Sequence, residues 1–202
     1  MERVPAGQRR GDFITAAVQI IAERGVHGAT TRRIAERAKA PLASLHYCFH
    51  TKEELFLAIY EEMAASQLRE GFHVRAGAGL GRSAAGLMRQ IQGWIEKDDT
   101  FAQAQLELFF WVRRQDNDLA MRVYQVFLDM LEGLLHQGLR ADDDANLVSV
   151  LARMITSMAD GLIPQWLTYK DPVMRDTTVD VMAETLERLA DAHRIPQRAV
   201  SN

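Results

Sequence analysis

Residues 30–52, TTRRIAERAKAPLASLHYCFHTK, predict two short helices joined by a tight connection and followed by the start of a longer helix. Pro41 disfavours helical geometry in the residue before it, so the first short helix ends before this position. The second covers roughly 42–48, and Leu45 and Phe49, four residues apart, are its expected core anchors. A helix–turn–helix of this size fits the major groove of DNA.

The residues around this stretch carry helix start and stop signals. A first helix is expected over roughly 11–24, where apolar residues recur at helical spacing and Gly25 follows as the terminating glycine. Thr30 or the next threonine is the expected N-cap of the second helix. Thr51 and Glu54 have the spacing of a capping box, which predicts the start of a fourth helix that ends near residue 71.

Charge is distributed unevenly along the chain. The net charge is −3, but residues 1–53 contain nine Lys/Arg against five Asp/Glu, whereas the remainder contains fifteen against twenty-two. A basic segment on an acidic body suits a DNA-contacting head, because phosphate contacts supply most non-specific affinity. Solvated helix faces can produce a split of this size as well. Residues 1–9 are expected to form an arm in which Arg3, Arg9 and the adjoining Arg10 either reach the DNA or remain disordered.

The whole chain predicts an all-α protein. Helix-period patterns recur throughout its 202 residues, alternating β-type patterns are nearly absent, and 48% of the residues are hydrophobic. The single cysteine excludes a disulfide framework and suits a reducing compartment. No apolar leader or long uncharged apolar run is evident, so we expect a soluble, cytoplasmic protein without a membrane segment.

Five further helices are predicted after a glycine-rich boundary at residues 71–86. The acidic run Asp142-Asp143-Asp144 is expected to cap the fourth of them, with metal ligation as the alternative. The expected helices lie at about 82–97, 101–114, 117–139, 142–167 and 173–193.

The segment ATTRRIAERAKAPLASLHYCFHTKEELFLAIYEE resembles the N-terminal domain of the TetR family of transcriptional regulators. The shared features are a Thr-rich helix start, an Ile-Ala pair, a short helix ending in His-Tyr-x-Phe, and a Thr-Lys-Glu-x-Leu sequence. The resemblance implies a DNA-binding domain over 9–69 (helix–turn–helix about 30–49) and a ligand-binding and dimerisation domain over 76–197, about nine helices in all. The sequence departs from the family at Lys39 and Pro41, where a turn glycine and a capping serine are usual.

Within the predicted head we distinguish groove contacts from phosphate contacts. The N-terminus of the fourth helix, with Lys52 in its first turn, is an expected phosphate clamp because free amides, dipole and ammonium all favour an anion. The predicted groove-facing residues are Ser44, His46 and Tyr47, and the predicted backbone contacts are Thr31, Arg32, Lys39 and Lys52.

The family implies a largely apolar effector pocket in the body, and the aromatic residues there are candidates for its lining. Aromatic side chains at helical spacing also occur in ordinary cores, so core packing is the alternative. The candidates are Trp94, Phe109, Phe110, Trp111, Phe127 and Trp166, with Gln105, Arg113, His136 or Asp160 as polar anchors.

The final pair of helices is implied by the resemblance to pair with its copy in a second subunit as a four-helix bundle. Burial inside a single chain is the alternative for the same residues. The candidate interface residues are Leu151, Met154, Ile155, Met158, Val179, Met182 and Leu186.

The favoured function is a ligand-responsive DNA-binding regulator, expected to be a repressor, that binds a palindromic operator as a homodimer and is released by a small, largely apolar effector. An enzyme with Cys48 as nucleophile and His46 or His50 nearby is the first alternative. Residues two apart on a helix do not face each other, and no phosphate loop or metal-ligand motif occurs, so we expect no catalytic residue, metal or cofactor. An all-α interaction module is the second alternative, but it leaves the basic head unexplained.

Overall fold

The computed structural model describes residues 6–69, 71–97 and 99–195, and these form nine α-helices without a β-strand. The predicted all-α class with about nine helices is confirmed. The helices are α1 Ala6–Gly28, α2 Thr31–Arg37, α3 Leu42–Cys48, α4 Lys52–Arg69, α5 Leu80–Lys97, α6 Asp99–Gln115, α7 Asn117–Gly138, α8 Leu147–Tyr169 and α9 Pro172–Ala192.

The helix ends around α2 and α4 follow the local signals in the sequence. Gly25, at φ 68° and ψ 172°, interrupts α1 with a backbone geometry that favours glycine. The Thr30 side chain accepts a hydrogen bond from the Arg33 amide and caps α2. Thr51 Oγ1 accepts one from the Glu54 amide at 3.1 Å, as the capping box predicts.

The return contact of this capping box reaches one residue further back than expected. Glu54 Oε2 accepts a hydrogen bond from the backbone amide of His50 at 2.8 Å. That bond is the main cause that holds the pKa of the Glu54 carboxyl below its usual value. The junction between α3 and α4 is therefore closed by hydrogen bonds from both sides.

The described residues divide into two compact units. One takes residues from 1–66 and 98–126, and in it α1 packs against α2, α3 and α6. The other takes residues from 67–97 and 127–202, and in it α5 packs against α8 and α9. These units describe packing, whereas the functional limits at 9–69 and 76–197 remain a prediction.

The acidic run before α8 has a different role from the one expected. Helix α8 begins at Leu147, with Asn146 at the N-cap position and no side-chain cap. Asp143 is instead buried, and its Oδ2 accepts hydrogen bonds from the amides of Leu80 (2.9 Å) and Arg140 (2.8 Å). The predicted cap of α8 was wrong, because the turn before this helix directs the carboxylate to the first amide of α5. No group of three or more His, Cys, Asp or Glu is placed to hold a metal in the described part of the chain.

Helix α8 is the one described helix that is long and apolar enough to cross a bilayer by length and composition, with a mean hydropathy of 1.3. A core helix of a soluble protein satisfies the same criteria. The helix also carries Arg153 and Asp160, and charged residues in a spanning segment are costly.

Candidate nucleic-acid interface

The turn between α2 and α3 keeps a tight geometry although it lacks the usual glycine. Lys39 has a φ of +50°, in the left-handed region. The Lys39 amide donates to the Glu36 carbonyl and the Ala40 amide to the Ala35 carbonyl, at 3.1 and 3.0 Å. Pro41 occupies the N-cap position of α3 and supplies no side-chain cap. A lysine therefore occupies the conformation that glycine adopts at least cost.

Helix α3 has one buried face and one open face. Leu45 and Phe49 are each 1% exposed, which confirms them as the anchors of the helix. Tyr47 is 79% exposed, His46 is exposed, and Ser44 is half-buried. Two of the three predicted groove contacts thus lie open to a ligand as large as a DNA duplex.

Arg10 of α1 holds the last turn of α3. Its Nη1 donates to the Cys48 carbonyl at 3.1 Å, and its guanidinium lies 4.4 Å from the Phe49 ring centroid. This contact satisfies an orphan carbonyl at a helix C-terminus and adds a cation–π interaction. Arg10 therefore anchors α3 rather than belonging to a free arm. Arg9 pairs with Asp12 at 3.8 Å, and Arg3 lies outside the described residues.

Arg37 also serves the scaffold. Its guanidinium binds both carboxylate oxygens of Glu23 at 2.9 and 2.7 Å and reaches Gln19. The hydrogen bond to Arg37 is the main cause that lowers the pKa of Glu23. This bidentate pair joins α2 to α1, because a guanidinium matches the geometry of a carboxylate.

The predicted phosphate contacts of α2 are more accessible. Arg32 is exposed and forms an ion pair with Glu36, four residues on, at 3.2 Å. Exposed pairs of this kind contribute little stability, so a phosphate can replace the carboxylate at small cost. Lys39 is exposed, whereas Thr31 is half-buried in the first turn of α2.

Lys52 departs most from the simple picture of a phosphate clamp. It lies in the first turn of α4, half-buried, with its ammonium 5.1 Å from the Phe56 ring centroid and 5.0 Å from the Trp111 ring. Burial lowers the pKa of the Lys52 ammonium, and the Glu53 carboxylate opposes this effect. A phosphate contact must therefore compete with two cation–π contacts.

The six aromatic candidates for the effector pocket divide between the two units. Phe109, Phe110 and Trp111 belong to the first unit, and Trp94, Phe127 and Trp166 to the second. Phe110 is exposed and the other five are half-buried.

The aromatic candidates have neighbours within their own units. Phe109 contacts Tyr124 with ring centroids 5.7 Å apart, and Trp111 stacks edge-on against Phe56 at 4.9 Å. The Trp166 ring lies 4.5 Å from the guanidinium of Arg175 in the second unit. All three contacts are compatible with core packing as well as with a pocket wall.

Gln105 stands out among the possible polar anchors. Its side-chain oxygen is buried and has no hydrogen-bond partner among the described residues, whereas its backbone carbonyl accepts from the Tyr60 hydroxyl at 3.2 Å. Buried polar atoms are normally paired, so an orphaned amide oxygen marks a place where a donor is missing.

The candidate interface residues of α8 and α9 fall into two groups. Leu151, Ile155, Val179 and Leu186 are each fully buried within the single chain. Met154, Met158 and Met182 are half-buried. The apolar side chains that these two helices leave exposed are instead Val150, Tyr169, Val173, Met174 and Val181.

Sequence reasoning missed the partners of Arg10 and Lys52. Both contacts join elements far apart in the chain, and no local spacing predicts them.

Comparison with known proteins gives a consistent result along the chain. Residues 13–59 match the family described as bacterial regulatory proteins, tetR family, and residues 99–191 match the C-terminal domain of BetI-type transcriptional repressors. A nicotine-responsive transcriptional repressor of Paenarthrobacter nicotinovorans is 28% identical over 191 residues, which cover 93% of this chain and 98% of the relative. The fatty acid metabolism regulator protein of Bacillus subtilis is 25% identical over 178 residues, covering 85% and 87%. A transcriptional regulator from Rhodococcus sp. Rha1 shares the fold with a TM-score of 0.69 at 19% identity, covering 90% and 97%.

Proposed function

This chain belongs to the TetR family of bacterial transcriptional regulators, and from that premise we propose that it represses transcription as a homodimer on a palindromic operator and is released by a small, largely apolar effector. The family consists of regulators, so the prediction that the chain is not an enzyme is confirmed. The site of action is the cytoplasm, where the chromosome lies, and no membrane partner is involved.

The exposed face of α3 is the observation that carries the DNA-binding proposal. Tyr47 and His46 project from a helix whose opposite side is fixed by Leu45, Phe49 and Arg10. Rigid support of this kind keeps the contacting side chains in one orientation, which base recognition requires. Ser44 completes the predicted groove contacts, with Thr31, Arg32, Lys39 and Lys52 on the backbone.

The effector proposal is supported by the aromatic candidates and by Gln105. The unpaired side-chain oxygen of Gln105 suits a ligand that is largely apolar and carries one hydrogen-bond donor. The named relatives respond to nicotine or regulate fatty acid metabolism, so related chains serve chemically different signals. An effector would act by binding more tightly to the arrangement that does not fit the operator.

The test of DNA recognition is equilibrium binding to the promoter of the chain's own gene and to a random duplex at moderate salt. We expect a clear preference for the promoter, and Tyr47→Ala should reduce it by about 1–3 kcal/mol. The control is Met121→Ala, which removes another large exposed side chain, 64% exposed, from α7, outside both the head and the proposed dimer contact. Equal affinity of the unchanged protein for both duplexes would refute the proposal.

Lys52→Ala tests the phosphate clamp in the same titrations. If the ammonium leaves the aromatic rings to bind a phosphate, the change should weaken all duplexes alike and make the slope of log K against log salt shallower by about 0.9. Trp111→Leu is the companion variant, because it removes one ring and leaves the charge in place. An unchanged salt slope in Lys52→Ala would show that this lysine only supports the fold.

A further inference from the structure

A cleft with a volume of about 340 Å³ lies in the second unit, between the loop before α5, the first turns of α5 and the end of α7. Its charged lining consists of Arg75, Arg82 and Arg140, with His73 beside them, and no described acidic side chain is part of the wall. Residues 67–97 and 127–202 together carry fourteen Asp and Glu against twelve Lys and Arg, so this unit has no overall excess of positive charge. The cleft is therefore a local concentration of positive charge.

The arginines of this cleft are not neutralised within the described part of the chain. Arg75 and Arg82 are exposed, and neither side chain forms a hydrogen bond or ion pair there. Arg140 donates from its guanidinium to the backbone carbonyls of Gly77, at 3.1 Å, and Ala78, which carry no net charge. Asp143, three residues after Arg140, is not part of the wall, and one of its oxygens accepts from two backbone amides. Three arginines therefore line one cavity, and none of them forms an ion pair with a described carboxylate.

The loop that carries these charges is held in place from several directions. The amide of Gly77 donates to the Gln137 carbonyl at 3.1 Å, and the amide of Gly79 donates to the Gly138 carbonyl at 2.8 Å. On the other side, the side chain of Gln90 bonds both the amide and the carbonyl of His73, each at 3.0 Å. The cleft is thus formed before any ligand arrives, which reduces the entropic cost of binding.

Close packing at the end of α7 contributes to the same rigidity. A Cβ at Gly138 would lie 2.0 Å from the side-chain oxygen of Ser83 and 2.9 Å from Val74. Ser83 in turn donates to the Gly79 carbonyl at 2.7 Å. The glycine allows α7 to approach α5 and the loop directly.

We propose that this cleft binds the phosphate groups of a phosphorylated small molecule. Guanidinium groups form charge-assisted, often bidentate hydrogen bonds with phosphate oxygens, and three of them match a ligand with several negative charges. The volume lies at the lower end of the range of small-molecule sites, about 300–1,000 Å³, and suits a diphosphate with a small attached group. This phosphate site is distinct from the proposed apolar effector pocket, and the proposal does not depend on that pocket.

Two glycines of α5 provide a matched test by isothermal titration of the full-length protein with inorganic pyrophosphate. Gly86 lines the cleft and Gly93 does not, and a Cβ at either position has open space within 4 Å. We expect Gly86→Glu to weaken pyrophosphate binding at least tenfold by placing a carboxylate among the arginines, and Gly93→Glu to leave it within twofold of the unchanged protein. Equal effects of the two variants would overturn the proposal, because both add one negative charge to the same helix.

Removal of the cations gives a second, independent measurement. Arg75→Ala combined with Arg82→Ala should also weaken pyrophosphate binding at least tenfold, whereas Arg89→Ala combined with Arg122→Ala, which removes two exposed arginines elsewhere, should not. Circular dichroism verifies that each variant is folded. The proposal is contradicted if the Arg75→Ala and Arg82→Ala double variant binds pyrophosphate as tightly as the unchanged protein. It is also contradicted if that variant loses affinity only for duplex DNA.

Discussion

Arginine side chains in the head divide into two groups with different consequences for DNA binding. Arg10 and Arg37 are committed to the scaffold, one on the last turn of α3 and the other on Glu23. Arg32 is exposed and held only by a weak pair with Glu36. Loss of Arg10 or Arg37 should therefore lower both stability and affinity, whereas loss of Arg32 should change affinity alone.

Lys39 combines a strained backbone with a candidate phosphate contact, and two substitutions separate these roles. Lys39→Gly should raise the free energy of unfolding by about 1 kcal/mol relative to Lys39→Ala, because only glycine adopts a φ of +50° without steric cost. Denaturant unfolding of both variants measures this difference.

Both Lys39 variants lack the ammonium group, so they should share one salt dependence of DNA binding. A slope shallower than that of the unchanged protein by about 0.9 in each indicates one lost phosphate contact. Equal stability of the glycine and alanine variants would show that the turn relaxes around any side chain.

At the scale of helices, the start of α5 depends on a residue that lies 63 positions away. Asp143 caps the Leu80 amide and also binds the amide of Arg140, so one buried carboxylate fixes both the helix and the turn before α8. The first turn of α5 and the turn after α7 are therefore bound to the same carboxylate, so loss of that carboxylate should loosen both.

Asp143→Ala should therefore destabilise the protein by about 1–3 kcal/mol, since it leaves backbone amides near a buried position without an acceptor. The control is Asp142→Ala at the neighbouring, half-buried position, which should change the free energy of unfolding by less than about 0.5 kcal/mol. Denaturant unfolding provides the comparison. If Asp143→Ala lowers the free energy of unfolding no more than Asp142→Ala does, water satisfies the amides of Leu80 and Arg140 in place of the carboxylate.

The helix boundaries around α1, α2 and α4 could be predicted because their causes are local. Gly25, Thr30 and Thr51 act through their own backbone or through amides three residues away, and each signal is present in a short window of sequence. Tertiary partners are different. The position of Lys52 beside Trp111 and the inward turn of Asp143 depend on how distant segments pack, which no short window contains.

At the scale of the whole molecule, the unpartnered apolar side chains of α8 and α9 suggest where a second copy would bind. Four of the seven predicted interface residues are fully buried within one chain, so the exposed residues beside them, Val150 and Val181 among them, are better candidates for the contact. Symmetric dimers place the same surface on both subunits, so a single substitution acts twice.

Val181→Glu should convert the proposed dimer to a monomer, since it would introduce two charges, one from each subunit, into the proposed apolar contact. Val181 is 59% exposed in the single chain, which means that the folded subunit tolerates the change. Met121→Glu is the control, at a position that is 64% exposed on α7. Size-exclusion chromatography with light scattering gives the molecular mass. A dimeric Val181→Glu protein would place the interface elsewhere.

The only thiol of the chain, Cys48, lies in the last turn of α3, between Tyr47 and Phe49. A spin label or dye that reacts with cysteine would therefore attach once per subunit, inside the element that we propose contacts the bases. In a dimer, the separation of two such probes would report the spacing of the two recognition helices in solution. The native sequence thus permits spectroscopic distance measurements without the removal or addition of any cysteine.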